Sequence, residues 1–126
     1  MINGQSNKIL IIEDDPDIGT IIKIILEQKG YLITVSENVD AAASILQNGG
    51  TGLIIMDMLL PGTTGVDICK RFKNDPSVSF IPVIMMSAHP DAKRLCEEAG
   101  ADGFISKPFH IQEVLSRIDQ FLGKAM

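Results

Sequence analysis

Short apolar runs alternate along this chain with segments in which apolar residues recur at helical spacing. Polar residues, glycine or proline bound each apolar run, which is typical of buried strands. The runs therefore predict five strands, at residues 8–12, 32–35, 53–56, 81–87 and 103–106.

A segment of helical period follows each predicted strand. In the first segment, Asp15 is placed to cap the helix, Pro16 takes the first helical position and Gly30 ends it. Apolar residues between Pro16 and Gly30 recur at i, i+3, i+4, i+7 and i+8, which describes one buried face. The other helices are predicted around 39–47, from about 65 to 74, at 92–99 and at 111–122.

The apolar strands predict the fold class. Strands that are apolar along their whole length lie in parallel sheets that helices cover on both faces. The right-handed crossover rule makes a doubly wound, five-stranded α/β sandwich the most economical arrangement. Because such sheets hold their binding sites beyond the carboxyl ends of the strands, function is expected there.

The composition limits the function classes. The chain has 126 residues, the size of one domain, with 45% hydrophobic and 21% charged residues. Its net charge of -5 argues against direct nucleic-acid binding, which requires a basic surface. Cys69 and Cys96 lack metal-ligand spacing and are expected to be buried thiols in a reducing compartment. Without a signal-peptide core or an apolar run near the ~18 residues of a membrane helix, we expect a cytoplasmic protein without membrane contact.

Polar residues stand where the predicted strands end. Glu13 and Asp14 follow the first strand, Asp57 the third, Ser87 the fourth and Lys107 the fifth. Each of them alone has an ordinary explanation, as a turn residue, a hydrogen-bonding strand end or a solvated lysine. If the strands are neighbours, the carboxylates converge, and two of them about 4 Å apart repel by roughly 4 kcal/mol at an effective dielectric of about 20. One lysine leaves this cluster net negative, and oxygen-only ligands then predict a Mg²⁺ site.

The strand-end residues lie in motifs that match a known family. The acidic pair after "ILII", "IIMDMLLPGTTG" around the third strand, "PVIMMSA" in the fourth and "GFISKPF" in the fifth follow in this order. The pattern resembles the receiver domain of two-component response regulators over about residues 8–122. The resemblance implies a flavodoxin-like receiver fold with strand order 2-1-3-4-5. It also implies an N-terminal tail at 1–7, a receiver domain at 8–123 and a single-domain form without an output domain.

The resemblance implies roles for the strand-end residues. Asp57 is the implied phosphoacceptor, which attacks the phosphorus of a partner's phosphohistidine and forms an acyl phosphate. The implied Mg²⁺ ligands are Asp14 directly, Glu13 through water, one oxygen of Asp57 and the backbone carbonyl of Leu59. Lys107 is expected to act as a mobile point charge on the phosphoryl oxygens.

The resemblance further implies a conformational switch. The Ser87 hydroxyl is expected to move onto a phosphoryl oxygen, and the Phe104 ring to rotate inward behind it. Phe104 lacks the hydroxyl of the tyrosine that often occupies this position, and a plain core role for its ring stays open. The loop "LLPGTTG" departs from the family pattern at Thr63 and Thr64. The segment that holds His89 is shorter than usual, which affects the expected output surface.

The implied partners are a sensor histidine kinase or a histidine phosphotransfer protein, and an unidentified downstream protein; homodimerisation stays open. The resemblance implies signalling rather than an enzyme, with self-phosphorylation and a self-dephosphorylation that is slow because Leu59 cannot orient a water.

Two alternative functions stay open. A Mg²⁺-dependent phosphatase or phosphotransferase acting through an aspartyl phosphate would use the same acids. A flavodoxin-like cofactor binder would share the sheet, although the loop "EDDPD" would repel a cofactor phosphate.

Overall fold

The computed structural model describes residues 7–60 and 62–123. These ranges contain the strands β1 (Lys8–Ile12), β2 (Leu32–Ser36), β3 (Thr51–Asp57), β4 (Leu59–Leu60), β5 (Thr63–Thr64), β6 (Val83–Ser87) and β7 (Gly103–Ser106). Five of them form a parallel sheet in the order β2-β1-β3-β6-β7, and β4 pairs with β5 in a short antiparallel ribbon. Counted along the chain without the ribbon, the sheet order is 2-1-3-4-5. The predicted fold is therefore confirmed.

Helices connect the strands of the sheet and cover both of its faces. They are α1 (Pro16–Gln28), α2 (Val39–Gln47), α3 (Gly65–Lys73), α4 (Ala92–Glu98) and α5 (Ile111–Leu122). Residues of α1 and α5 share one hydrophobic core, and residues of α2, α3 and α4 share the other. This arrangement is the doubly wound sandwich that the apolar strands predict.

The central strands are apolar along their length because both of their faces are buried. In β3, Ile55 packs in the core under α1 and α5, whereas Ile54 and Met56 pack in the core under α2, α3 and α4. All three side chains are fully buried. Successive side chains of a strand point to opposite faces, so a continuous apolar run serves two cores at once.

The first helix begins as the sequence predicts. Asp15 is extended and its side chain accepts hydrogen bonds from the backbone N–H groups of Asp17 at 2.9 Å and Ile18 at 3.4 Å. Pro16 occupies the first turn, where its missing N–H costs no hydrogen bond. Gly30 follows the helix with a φ of 98°, a conformation that favours glycine. The cap role of Asp15 is confirmed, and it sets the direction in which the chain leaves β1.

Both cysteines are free and buried, as expected. Cys69 of α3 and Cys96 of α4 belong to the same hydrophobic core. Burial raises the pKa of both thiols, that of Cys96 to about 11. The two residues therefore act as small apolar side chains in this core.

Strand and helix bounds differ from the predicted ones by one or two residues. The third predicted strand begins earlier, at Thr51, because Thr51 pairs with Lys8 of β1. The fourth begins later, at Val83, since the preceding Pro82 has no N–H to donate to a neighbouring strand. Helices α3 and α4 end one residue early, with Asn74 and Ala99 as their C-caps.

The chain ends lie partly outside the described residues. Of the expected tail at 1–7, only Asn7 is described, and its side-chain amide donates a hydrogen bond to the carbonyl of Gly30 at 2.8 Å. Residues 124–126, like 1–6, are outside the described ranges. Across the part of the chain that is described, no helix has the length and apolarity to span a membrane.

Candidate functional site

The carboxyl ends of the sheet strands surround a cleft of about 740 Å³. Its walls come from the loops after β1, β3, β6 and β7, which are neighbours in the sheet. The cleft therefore lies where doubly wound folds bind their ligands. The predicted site residues that line it are Glu13, Asp14, Asp57, Leu59, Ser87 and Lys107.

Strand register brings the acids together. Ile12 of β1 pairs with Met56 of β3, so the residues that follow them, Glu13 and Asp57, stand side by side. The backbone N–H of Glu13 donates to the carbonyl of Ser36 at 3.0 Å, which holds this end of β1 in the sheet. One ligand oxygen from each of Glu13, Asp14 and Asp57 lies within 4.8 Å of the others.

Lys107 reaches into this cluster from the end of β7. Its backbone N–H donates to the carbonyl of Ser87 at 2.9 Å, which continues the pairing of β6 with β7. Its ammonium donates to Asp57 Oδ2 at 2.5 Å and to Glu13 Oε1 at 3.4 Å. Burial lowers the pKa of Lys107, but the hydrogen bond and charge of Asp57, with those of Glu13, outweigh burial and raise it. The lysine is therefore held as a cation between two acids.

Glu13 is buried, whereas Asp14 is exposed to solvent. The pKa of Glu13 is raised to about 7, mainly by burial and also by the charge of Asp57. A hydrogen bond from the backbone N–H of Asp15, at 3.2 Å, and the charge of Lys107 act in the opposite direction. The carboxylate form of Glu13 is thus costly here unless further positive charge is present.

The donor set of the cleft fits a hard divalent cation. Three carboxylates supply oxygen ligands only, and one ammonium does not neutralise them. Oxygen ligands from few protein groups, in a cleft open to water, match Mg²⁺ better than Zn²⁺. Glu13, Asp14 and Asp57 are therefore a group that can hold a metal ion.

Leu59 and Ser87 flank Asp57. The backbone N–H of Leu59 donates to Asp57 Oδ1 at 3.0 Å, while its side chain is 69% exposed at the mouth of the cleft. Ser87 is buried, and its Oγ accepts a hydrogen bond from the backbone N–H of His89 at 3.0 Å. Phe104 lies outside the cleft lining, on β7, where it pairs with Met85 and packs against the core under α2, α3 and α4.

The loop after β3 forms a short hairpin that the sequence analysis did not predict. Its residues form the β4–β5 ribbon, in which Leu59 pairs with Thr64, and the ribbon leads into α3 at Gly65. The backbone N–H of Gly65 donates to the carbonyl of Met58 at 2.6 Å. A Cβ atom at Gly65 would lie 2.5 Å from the backbone oxygen of Asp57. The sequence "LLPGTTG" contained a signal for this ribbon. Its Pro-Gly dipeptide favours a turn, and it stands between two leucines and two threonines that can pair as a hairpin.

Comparison with known proteins agrees with the fold. The family model described as "Response regulator receiver domain" matches residues 9–119. The phosphate regulon transcriptional regulatory protein PhoB of Pseudomonas aeruginosa is 36% identical over 116 residues, which cover 90% of this chain and 51% of that protein. The chain thus spans about half the length of the curated relatives it matches.

Two solved structures are similar in both fold and sequence. A putative response regulator from Chloroflexus aurantiacus matches with a TM-score of 0.88 and 28% identity, over 95% of this chain and 100% of that one. The signal receiver domain of a signal transduction histidine kinase from Syntrophus aciditrophicus matches with a TM-score of 0.83 and 34% identity, over 91% and 89%. The chain belongs to the response regulator receiver domain family of two-component signalling.

Proposed function

We propose that this domain accepts a phosphoryl group on Asp57 and signals through the change that follows. The observation that carries the proposal is the contact of the Asp57 carboxylate with the Lys107 ammonium at 2.5 Å, inside a cluster of carboxylates that can hold a metal. Phosphoryl transfer requires mainly positioning and neutralisation of charge, and this cleft offers both. The family is one of signalling domains rather than enzymes in the usual sense.

The transfer step uses the Asp57 carboxylate as the nucleophile. One carboxylate oxygen attacks the phosphorus of a phosphohistidine, a P–O bond forms, and the P–N bond breaks with its electron pair returning to the imidazole. The Leu59 N–H donates to Oδ1 and Lys107 contacts Oδ2, which orients the carboxylate. Lys107 can follow the phosphoryl oxygens as a point charge, because its long side chain is flexible.

A metal ion completes the charge balance of the proposed site. The ligands we propose are Asp14, Glu13 through water, one oxygen of Asp57 and the Leu59 carbonyl, with Mg²⁺ as the ion. When bound, Mg²⁺ supplies positive charge to the transferring phosphoryl group. Glu13 supports this role, since its buried carboxylate gains most from added positive charge.

The response to phosphorylation is proposed to pass through Ser87 and Phe104. The Ser87 hydroxyl accepts from the His89 N–H. A phosphoryl oxygen on Asp57 offers it a charged acceptor, which makes a stronger hydrogen bond than a neutral group. Movement of Ser87 would open space for the half-buried Phe104 ring, and the ring would then change the surface near α4.

The partners we propose are a sensor histidine kinase or a histidine phosphotransfer protein upstream, and an unidentified protein downstream. These partners, the receiver bounds 8–123, homodimerisation and a cytoplasmic location stay predictions. The flavodoxin-like alternative gains no support, because the loop after β1 carries the acids of the cleft and a cofactor phosphate would meet like charge. The phosphatase or phosphotransferase alternative would use the same acids, and turnover of phosphate esters distinguishes it.

The proposal is tested by intact-protein mass after mixing with acetyl phosphate, with and without Mg²⁺. We expect wild-type protein to gain the mass of one phosphoryl group only with Mg²⁺, and Asp57→Asn to gain none. Glu37→Gln, at an exposed acid that does not line the cleft, is the matched control and should behave as wild type. Phosphorylation of Asp57→Asn, or none of wild type under any condition, would contradict the proposal. Turnover of phosphate esters would favour the phosphatase alternative instead.

A further inference from the structure

The turn between α2 and β3 contains a dipeptide that can modify itself. The sequence of this turn is "NGGTG", in which Asn48 is directly followed by Gly49. Asn48, Gly49 and Gly50 are exposed to solvent. The turn leads into the amino end of β3, whereas the cleft lies beyond the carboxyl end of this strand. The roles proposed above do not use it.

The reaction open to this dipeptide is loss of the side-chain amide of Asn48. After a base removes its proton, the backbone nitrogen of Gly49 attacks Cγ of Asn48, a C–N bond forms, and the side-chain nitrogen leaves as ammonia. Water then opens the cyclic imide at one of its two carbonyls, which gives aspartate or isoaspartate. Both partners of the first step belong to adjacent residues, so the reaction needs only water and a base.

Gly49 leaves the path of attack open. A side chain on the residue after asparagine crowds the attacking nitrogen, and glycine has none. The space around Gly49 is also free, since an added Cβ atom would have no neighbour within 4 Å. The other asparagines of the described ranges, Asn7, Asn38 and Asn74, precede residues with side chains. Chemistry therefore favours Asn48 among these four.

The last turn of α2 slows this reaction in the folded protein. Asn48 is the C-cap of α2, with φ of -73° and ψ of -12°, and the Gly49 N–H donates to the carbonyl of Leu46 at 3.1 Å. In this helical conformation the Gly49 nitrogen faces the helix and not Cγ of Asn48. Attack requires rotation about the Cα–C bond of Asn48, which breaks the hydrogen bond. We propose that Asn48 is a site of spontaneous deamidation and that opening of the last turn of α2 sets its rate.

The product carries a new charge beside a lysine. Conversion of Asn48 to aspartate adds a negative charge at the carboxyl end of α2, where the helix dipole disfavours it. Lys8 lines the same cavity of about 250 Å³ as Asn48 and offers a counter-charge. The modification therefore changes the charge of this turn permanently and leaves the acids of the cleft unchanged.

The opening step predicts how much the fold slows the reaction. We expect deamidation of Asn48 in native protein to be about three- to ten-fold slower than in a peptide of residues 44–53, the effect of one hydrogen bond. Hydrogen exchange of the Gly49 amide measures the same opening independently. Peptide mapping by mass spectrometry during incubation at pH 8 follows aspartate and isoaspartate at position 48. It also keeps them apart from products of Asn3–Gly4, which lies outside the described residues.

Two variants separate the chemistry from the opening step. Asn48→Gln should give no product at this position, because its longer side chain would have to close a larger ring. Gly50→Ala places a Cβ atom on a residue with a φ of 88°, which strains the turn and should raise the native rate towards that of the peptide. A peptide with the same substitution corrects for direct effects on the reaction. Gly62→Ala, at a φ of 74° in another loop, is the control and should leave the rate at Asn48 unchanged.

In wild type and in Gly50→Ala, the slowing relative to the matching peptide should change in proportion to the exchange protection of the Gly49 amide. Equal rates in native protein and peptide, or no product in native protein while the peptide converts, would overturn the proposal. So would a rate that changes without a change in Gly49 exchange, or reaction at Asn7, Asn38 or Asn74 as fast as at Asn48. None of these measurements involves a phosphodonor, so their outcome is independent of the proposed function.

Discussion

Glu13 shows how one buried acid links the cleft to stability. Its pKa is raised to about 7, from an ordinary value of 4.5, mainly by burial. Below pH 4.5 the carboxyl is protonated in folded and unfolded protein alike, and no stability is lost. Between these two values the unfolded chain ionises first, so the metal-free protein loses stability as the pH rises, and the loss is complete above pH 7.

We therefore expect Glu13→Gln to stabilise the metal-free protein at high pH. Glutamine carries no charge, so the variant avoids a penalty of about 1 to 3 kcal/mol above pH 7 and gains little near pH 4.5. Urea unfolding in a chelator at several pH values measures the difference between variant and wild type. Glu37→Gln, at an exposed acid, is the control. A difference between Glu13→Gln and wild type that does not change with pH would contradict the raised pKa.

The side chain of Leu59 is expected to affect the lifetime of the phosphorylated state. Its side chain is exposed at the mouth of the cleft beside Asp57, and it has no polar group to orient a water. We expect Leu59→Asn to speed self-dephosphorylation by about ten-fold, which is the effect of one hydrogen bond of ~1.4 kcal/mol in the transition state. The decay of phosphoprotein, followed by intact mass, measures the rate. Leu59→Met should stay slow, and equal rates in Leu59→Asn and wild type would refute the idea.

At the scale of elements, the contact between α3 and the end of β3 holds the phosphoacceptor in place. Gly65 opens the helix, and its N–H donates to the carbonyl of Met58. A Cβ atom at this position would lie 2.5 Å from the Asp57 backbone oxygen and 2.6 Å from Cε of Met85. The first neighbour is backbone and has no rotamer by which to move away.

Gly65→Ala is therefore expected to destabilise the protein by about 1 to 3 kcal/mol and to slow phosphorylation of Asp57. Urea unfolding and the rate of mass gain with acetyl phosphate measure the two effects. A second substitution, Met85→Ala, removes the side-chain clash but leaves the backbone clash, so the double variant should not recover. Lys70→Ala, at an exposed position of the same helix, controls for helix propensity. Wild-type stability in Gly65→Ala would show that α3 can shift without cost.

At the scale of the whole molecule, two cores share one sheet, and the cysteines report on one of them. Cys69 and Cys96 are fully buried between the sheet and helices α3 and α4. We expect neither thiol to react with a thiol reagent at pH 8 in the native protein, because burial excludes the reagent and the raised pKa leaves little thiolate. Both should react in denaturant, and at intermediate urea the rate should follow global unfolding. Fast reaction of one thiol in native protein would show local opening of this core.

The sequence by itself determined the alternation of strands and helices, because apolar periodicity and caps such as Asp15 and Gly30 are local signals. It also determined which residue types stand at the strand ends, since each apolar run stops at a polar residue. Two-residue pairings such as the β4–β5 ribbon were missed, because a strand that short has no period to detect and only the Pro-Gly turn in "LLPGTTG" indicates the hairpin.

Only the tertiary structure decided how these residues act on one another. Strand register places Glu13 beside Asp57, and the loop after β7 brings the Lys107 ammonium between them. Burial differs between the adjacent acids Glu13 and Asp14, which no local pattern separates. The need for glycine at position 65 likewise depends on contacts across the fold, with the Asp57 backbone and the Met85 side chain. Local interactions set the elements, whereas distances between residues far apart in sequence set their electrostatics and therefore the chemistry.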